Sequence, residues 1–278
     1  MIKYVLGSLL FVSCLYAGNT DTEIKRVTQA IGSETRLATL YFKRAGLYAD
    51  QGDYDKALKD FDKVGIFNPG HKGLDYEMAK TYVNAGRPQK ALDLISQVLS
   101  TLKNPTQRRA YLILKADAYN LQENYKAGIK IYEVLNKQGE GLSSFELTKL
   151  SSAYYDLGKS RKSISILKNA LREDNSNYIL AEKMVELSIE EGSYSLAHIM
   201  IERMLKDKSK RANTYQLQAV LFESEDKLDE ALKSNALAHE SFLKISKKAQ
   251  RLESNKRLKN KILAFELRLH EDDRARLN

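Results

Sequence analysis

The chain has 278 residues, three prolines, one cysteine and a formal net charge of +9. A single cysteine excludes an intramolecular disulfide, and no run of Val, Ile and Thr alternates at period two, which disfavours a sheet. Abundant Ala, Leu, Lys and Glu predict an all-α chain instead. Because most lysines are scattered among acidic residues, the net positive charge alone does not indicate a nucleic-acid site.

The first segment differs in composition from the rest of the chain. Lys3 precedes an apolar run from Val5 to Leu15, which is shorter than the ~20 residues that a spanning helix needs. This pattern predicts a signal peptide over residues 1–17. The sequence LFVSC also resembles a bacterial lipobox, in which Cys14 is lipidated. Either route of processing implies export to the periplasm or cell envelope; an uncleaved segment is the alternative.

An amphipathic segment follows the leader. Residues 21–32, DTEIKRVTQAIG, place Ile24, Val27 and Ile31 on one helical face. This predicts an N-terminal capping helix within residues 21–37.

The stretch QGDYDKALKDFDK, residues 51–63, reads as a tight turn between two helices. Gly52 suits the left-handed end of one helix, and Asp53 suits the N-cap of the next. Ala57 and Phe61 then recur at the spacing of a buried helical face.

This junction recurs along the chain. Its turn positions are 52, 86, 123, 158, 192 and 226, which are separated by 34, 37, 35, 34 and 34 residues. A small and an aromatic residue stand seven and four positions before most of these turns, as Ala45 and Tyr48 do. A period of this length indicates a solenoid in which each helix pair buries its apolar face on the next.

Three copies depart from the pattern. Glu123 replaces the turn glycine of the third copy, Ser163 the small alanine of the fourth, and Asn235 an apolar residue of the sixth. The interval of 37 residues predicts a longer loop near residues 103–108.

These spacings resemble the tetratricopeptide repeat, a helix pair of 34 residues. The resemblance covers residues 38–244 and implies an all-α, right-handed solenoid with a charged C-terminal capping helix at 245–278. The six repeats fall at 38–71, 72–108, 109–143, 144–177, 178–211 and 212–244.

The chain lacks the sequence motifs that carry catalysis or cofactor binding. No GxxxxGK, GxGxxG, GxSxG, HExxH or CxxC occurs, and no two of the four histidines stand at ligand spacing. We therefore predict no enzyme activity, no cofactor and no metal.

The resemblance also implies which residues face a partner, because the first helix of each pair lines the groove in this family. The matching positions are aromatic or apolar towards the N-terminus and acidic towards the C-terminus. They include Phe42, Tyr76, Lys80, Ile113, Asp117, Tyr155, Glu182, Glu186, Glu190 and Glu223. We expect a partner segment with apolar anchors and a basic patch; the alternative is that the three glutamates of the fifth repeat form a solvated face. The cations that clamp a C-terminal carboxylate in chaperone adaptors are not assembled.

Positive charge is concentrated at the C-terminus, where Lys244 onwards holds 11 Lys and Arg against 5 Glu and Asp. The basic patch comprises Lys247, Lys248, Arg251, Lys256, Arg257, Lys259 and Lys261. A stripe of Leu258, Ile262, Phe265 and Leu269 is predicted to cover the last repeat. The patch fits a solvated cap, an anionic membrane surface or an acidic partner. The scarcity of aromatic residues disfavours nucleic acid.

The sequence therefore predicts a non-enzymatic scaffold of the bacterial cell envelope, with envelope-complex components as partners. One alternative is a lipoprotein that resembles the pilotins and assembles a secretin or type IV pilus machine. Another is an intracellular adaptor whose N-terminal segment is not a leader. The mature N-terminus distinguishes these alternatives.

Overall fold

The structure, a computed structural model, describes residues 20–32, 36–138, 141–250 and 253–277. The predicted leader, with Cys14, lies outside these residues. The described residues form helices and no strand, which confirms the all-α prediction. The chain divides into two compact units at Leu157 and Gly158, and each unit is described by itself.

The first unit contains eight helices in its described residues. They are α1 (Thr20–Ile31), α2 (Leu37–Gln51), α3 (Tyr54–Phe67), α4 (Leu74–Asn84), α5 (Pro88–Thr101), α6 (Pro105–Leu121), α7 (Tyr125–Asn136) and α8 (Ser144–Asp156). Helix α2 packs on α3, α4 on α5 and α6 on α7, while α1 packs on α2. The first helices of successive pairs, α2, α4, α6 and α8, also adjoin one another.

The turn between α2 and α3 follows from its residues. Gly52 has φ of 83° and caps α2, while the Asp53 carboxylate accepts a hydrogen bond from the Lys56 backbone N–H at 3.4 Å. Glu123, in the third turn, takes the same left-handed conformation with φ of 59°. The repeat geometry therefore imposes this conformation even where glycine is absent, at a cost of roughly 1–2 kcal/mol for a residue with a Cβ.

The second unit continues the pattern and ends in a longer helix. Its described elements are α9 (Ser160–Glu173), α10 (Tyr178–Glu190), α11 (Tyr194–Met204), a 3₁₀ turn (Lys208–Lys210), α12 (Arg211–Ser224), α13 (Leu228–Leu243), α14 (Lys247–Gln250) and α15 (Glu253–Leu277). Helix α10 pairs with α11 and α12 with α13. Helix α15 packs on α13 and α12, which is the place that the first helix of a seventh pair would take.

The face of α15 that meets the last repeat is apolar. Leu258, Ile262 and Phe265 are each less than 5% exposed, so three members of the predicted stripe lie at this contact. The fourth member, Leu269, has a side chain outside the described set. The Asn235 side-chain amide, itself buried, donates to the Ile262 backbone carbonyl at 3.1 Å. The unusual asparagine of the sixth repeat therefore contacts the capping helix directly.

The three extra residues between the second and third turns lie in a helix rather than in a loop. Only residues 102–104 connect α5 to α6, while α6 has 17 residues. The Asn104 side chain accepts from the Gln107 backbone N–H at 3.0 Å, and Pro105 occupies the first turn. Both features favour an early helix start, so the prediction of a longer loop was wrong.

Gly128 occupies the alanine position of the third repeat because a side chain from α6 fills the space. A Cβ added there would lie 2.1 Å from Asn120 Oδ1 and 3.0 Å from the Ala116 carbonyl oxygen. Asn120 Oδ1 is buried and has no hydrogen-bond partner among the residues that the structure describes. This glycine is therefore explained by close helix packing rather than by the backbone conformation.

Gly128→Ala is expected to destabilise the protein, because overpacking costs ~1–3 kcal/mol and the helix propensity gained is only ~1 kcal/mol. The Asn120→Ala/Gly128→Ala double variant should recover most of the loss, since the obstructing amide is gone. Urea unfolding followed by circular dichroism measures both. Equal midpoints for the single and double variants would contradict the proposed clash.

None of the helices among the described residues has both the length and the apolar character that a membrane crossing requires.

Candidate partner-binding face

The first helices of the pairs form a continuous surface in each unit, which we call the A-helix face. In the first unit it comprises α2, α4, α6 and α8, and in the second unit α10, α12 and α15, because these helices adjoin one another in that order. The side chains that the sequence assigned to the groove lie on these helices.

Phe42 and Tyr76, two of the predicted groove residues, also pack against other rings of the first unit. The Phe42 ring lies edge-on to the buried Phe61 ring at 5.6 Å and stacks on His71 at 4.4 Å. Tyr76 meets the buried Tyr111 edge-on at 5.6 Å. Burial raises the pKa of Tyr111 to about 12 and raises that of Tyr76 as well. Both hydroxyl groups therefore remain protonated at neutral pH and can donate hydrogen bonds.

Asp117 joins three helices of the first unit. Its carboxylate accepts a hydrogen bond from the Tyr132 hydroxyl of α7 and forms an ion pair with Lys149 of α8 at 2.5 Å. Tyr132 is fully buried, which raises the pKa of its hydroxyl. This predicted groove residue therefore has intramolecular partners, and its replacement would disturb the fold as well as the face.

The other predicted residues of the first unit are less engaged in packing. Lys80 is exposed and makes only a 3.4 Å pair with Glu77 one turn away. Ile113 and Tyr155 are each half-buried. None of the three is a fully buried core residue, so each retains some surface on its helix.

Two large apolar side chains project from the A-helix face of the first unit. Leu121, at the end of α6, is 50% exposed, and Phe145, at the start of α8, is 58% exposed. The Lys149 ammonium lies 4.8 Å from the Phe145 ring centroid while it pairs with Asp117 of α6, which places this ring at the α6–α8 contact. Exposed apolar groups of this size are available to contact a partner.

The A-helix face of the second unit carries the predicted acids. Glu182 is half-buried, and burial raises its pKa, as does the neighbouring carboxylate of Glu186, whereas Lys261 and Lys210 lower it. Glu186 pairs with Lys183 at 3.2 Å. Glu190 is exposed near the end of α10.

Glu223 of α12 pairs with Arg268 of α15 at 2.7 Å. The sequence places the acidic face and the C-terminal basic residues in separate regions, but α15 brings its cations to that face because it packs on α12. Lys247, Arg257, Lys259 and Lys261 are exposed and Lys256 is half-buried. The side chain of Lys248 and the whole of Arg251 lie outside the described residues.

The sequence reasoning missed a buried ion pair in the first repeat. Both nitrogens on one edge of the Arg44 guanidinium donate to the Asp60 carboxylate, at 2.6 and 2.9 Å, and a third donates to the Thr28 hydroxyl of α1 at 3.0 Å. The pair joins residues that are 16 positions apart on different helices, so no local sequence signal identifies it.

Metal-ligating side chains are not clustered in the described part of the chain: no group of three or more His, Cys, Asp or Glu residues is placed to hold an ion. The His198 Nε2 atom lies 2.9 Å from Glu225 Oε2, and this pair alone provides no metal site.

Comparison with known proteins identifies the repeat. Residues 48–117 match the tetratricopeptide repeat family. The fold resembles a tetratricopeptide repeat protein from Parabacteroides merdae, with 17% identity and a TM-score of 0.63 over 89% of this chain and 93% of that chain. It also resembles the apo form of the quorum sensor NprR from B. thuringiensis, with 16% identity and a TM-score of 0.56 over 88% of this chain and 81% of that chain. No curated protein matches the sequence.

The stacked helix pairs and the continuous face of first helices within each unit define a helical repeat protein. The match to the tetratricopeptide repeat family itself covers residues 48–117, and the fold resembles that of a solved tetratricopeptide repeat protein over most of the chain.

Proposed function

We propose that the protein is an exported, non-enzymatic scaffold of the bacterial cell envelope that binds segments of other envelope proteins on its A-helix face. Export is supported by the apolar run of the N-terminal segment, residues 1–17. Binding is supported by the exposed apolar side chains of the face.

The observation that carries the binding proposal is the exposure of Leu121 and Phe145. A helical repeat array exposes a long row of first helices, and anchors in a bound segment need apolar contacts along such a row. Burial of a Leu or Phe side chain in a complex contributes ~1.5–3 kcal/mol, so these two residues can supply much of the affinity of a short segment.

The Leu121→Ser/Phe145→Ser double variant is expected to recover at least ~10-fold less partner protein in affinity purification from the native organism, because two apolar contacts are lost. Ile199→Ser is the matched control, since Ile199 is 62% exposed on α11, a second helix of its pair. All variants should keep the wild-type circular dichroism spectrum, because the replaced side chains are largely exposed. Equal recovery with the double variant and the control would contradict binding at this face.

Mass spectrometry of the mature N-terminus, performed on the same purified material, tests the envelope location. A terminus near Ala17 supports cleavage of a signal peptide, and a lipid on Cys14 supports an anchored form. An intact Met1 terminus in the cytoplasmic fraction would overturn export and leave the adaptor alternative.

A further inference from the structure

Glu182 is a half-buried acid on the A-helix face of the second unit. Within the described part of the chain, no hydrogen bond or ion pair reaches its carboxylate, although burial has removed part of its hydration. Glu186, one turn later, has Lys183, and Glu223 on α12 has Arg268. A half-buried carboxylate without a partner is unfavourable in the free protein.

A second polar group, the Tyr178 hydroxyl, lies one turn before Glu182 on α10. This hydroxyl is buried beside Thr214 of α12. The Lys210 ammonium lies 5.6 Å from the ring centroid. Burial raises the pKa of Tyr178, so the hydroxyl remains protonated at neutral pH. Tyr178 and Glu182 are four residues apart on α10 and therefore face the same side.

The same face shows how a cation from an adjoining helix is accommodated. Arg268 of α15 places its guanidinium on Glu223 of α12 at 2.7 Å, and its guanidinium carbon lies 5.2 Å from the Phe265 ring centroid. By contrast, Lys210 and Lys261 act on Glu182 only through space. Glu223 therefore shows that an acid of this face can accept a basic side chain from a helix packed alongside, and Glu182 has no such direct contact within the described residues.

We propose that Glu182 binds a lysine or arginine side chain of a partner segment, while the exposed Ile179 contacts an apolar residue beside it. Ile179 is 46% exposed and lies three residues before Glu182. Their Cβ atoms are roughly 5–6 Å apart, so the partner presents its apolar and basic side chains at a similar spacing. This inference rests on the proposed function and specifies the chemistry of the segment that binds.

The physical reason is that Glu182 is already partly desolvated in the free protein. A partner cation therefore has less water to displace from this carboxylate than from a fully exposed one, and the charge-assisted hydrogen bond it forms is among the stronger polar contacts in proteins. Such bonds change affinity by about 10-fold or more.

The partial burial of Glu182 also predicts how the stability of the free protein depends on pH. The folded-state pKa of Glu182 is raised, so wild-type stability falls as pH increases from the ordinary pKa of glutamate through the raised value. Glu182→Gln is therefore expected to raise the melting temperature at pH 7. The difference from wild type should vanish below the ordinary pKa of glutamate, where Glu182 is protonated. The charged and titratable groups that face this carboxyl are Tyr178 and Glu186 of α10, Lys210 before α12 and Lys261 of α15, and all of them remain in the variant.

The binding test uses random 12-residue peptides displayed on phage and selected on the purified full chain. We expect the selected peptides to share a Lys or Arg beside an apolar residue. Replacement of that basic residue by norleucine in a synthetic peptide should weaken binding at least 10-fold for wild type but less than 2-fold for Glu182→Gln. Glu202→Gln, a replacement of an exposed glutamate on α11, should behave as wild type in both assays.

Two further outcomes are distinguishable. An equal loss of binding to wild type and Glu182→Gln, or no rise in melting temperature, would overturn the role of Glu182. If the peptides still lose affinity for an Ile179→Ser variant, the proposed binding face nevertheless stands. If peptide binding is unaffected by both Ile179→Ser and Leu121→Ser/Phe145→Ser, the A-helix face is not a binding surface and the proposed function fails with the inference.

Discussion

Asp60→Ala is expected to destabilise the first repeat by about 3–5 kcal/mol, because it leaves the Arg44 guanidinium buried and without its counter-ion. The side chains of Asp60 and Arg44 are only 5% and 12% exposed. The bond to Asp60 raises the pKa of Arg44, so the guanidinium stays charged and cannot avoid the penalty by losing a proton. Since Arg44 also contacts Thr28 of α1 and the rings of Tyr41 and Tyr48, its displacement would loosen the N-terminal cap.

The matched control is Asp55→Ala, the same substitution one turn earlier on α3. Asp55 pairs with Arg87 at 2.6 Å, but its side chain is 70% exposed, so its loss should have little measurable effect. Urea unfolding measures both variants. A repeat array can lose one end before the rest, so we expect an early transition for Asp60→Ala. Equal midpoints for the two variants would contradict a structural role for the buried pair.

Ile262→Ala is expected to cost the second unit about 2–5 kcal/mol, because it creates a cavity between the capping helix and the last repeat. Ile262 is 1% exposed and clusters with Ala212, Ala238 and Phe242. A terminal repeat in a solenoid has an apolar face that no further repeat covers. Helix α15 supplies that cover, so weakening its contact should destabilise the repeat beneath it.

Leu267→Ala provides the comparison on the same helix. Leu267 is 67% exposed, and a substitution at such a site usually changes stability by less than about 0.5 kcal/mol. Thermal unfolding of both variants distinguishes a packed α15 from a loosely attached one. If Ile262→Ala and Leu267→Ala had the same melting temperature, α15 would not be the cap of the second unit.

The position of α15 also concerns function. Because α15 takes the place of a further first helix, its cations reach the A-helix face, where Arg268 pairs with Glu223 and Lys261 lowers the pKa of Glu182. The charge of that face is therefore a balance between the acids of α10 and α12 and the cations of α15. A variant that detaches α15 would alter both stability and partner selectivity, which is why the Glu182 tests keep α15 intact.

Much of the architecture could be predicted because the repeat is a local pattern. Each turn is encoded within a few residues, as Gly52 and Asp53 show, and its recurrence at about 34 residues indicates stacked helix pairs. The physical reasons for two unusual residues lie outside this local pattern. Gly128 is explained only by Asn120 of the neighbouring helix, and Asn235 only by the Ile262 carbonyl of α15. The extra residues of the third repeat extended a helix because Asn104 and Pro105 start it early.

The sequence by itself determined the helices, their turns and the set of residues on the first helices, since all of these depend on spacing along one chain. Only the tertiary structure decided which of those residues are available to a partner. Asp117 pairs with Lys149 and Glu223 with Arg268, whereas no ion pair reaches Glu182 from the described part of the chain. These differences depend on contacts between residues 32 and 45 positions apart and on the burial of the Glu182 carboxylate. Neither the long-range contacts nor the burial of one side chain leaves a local pattern in the sequence.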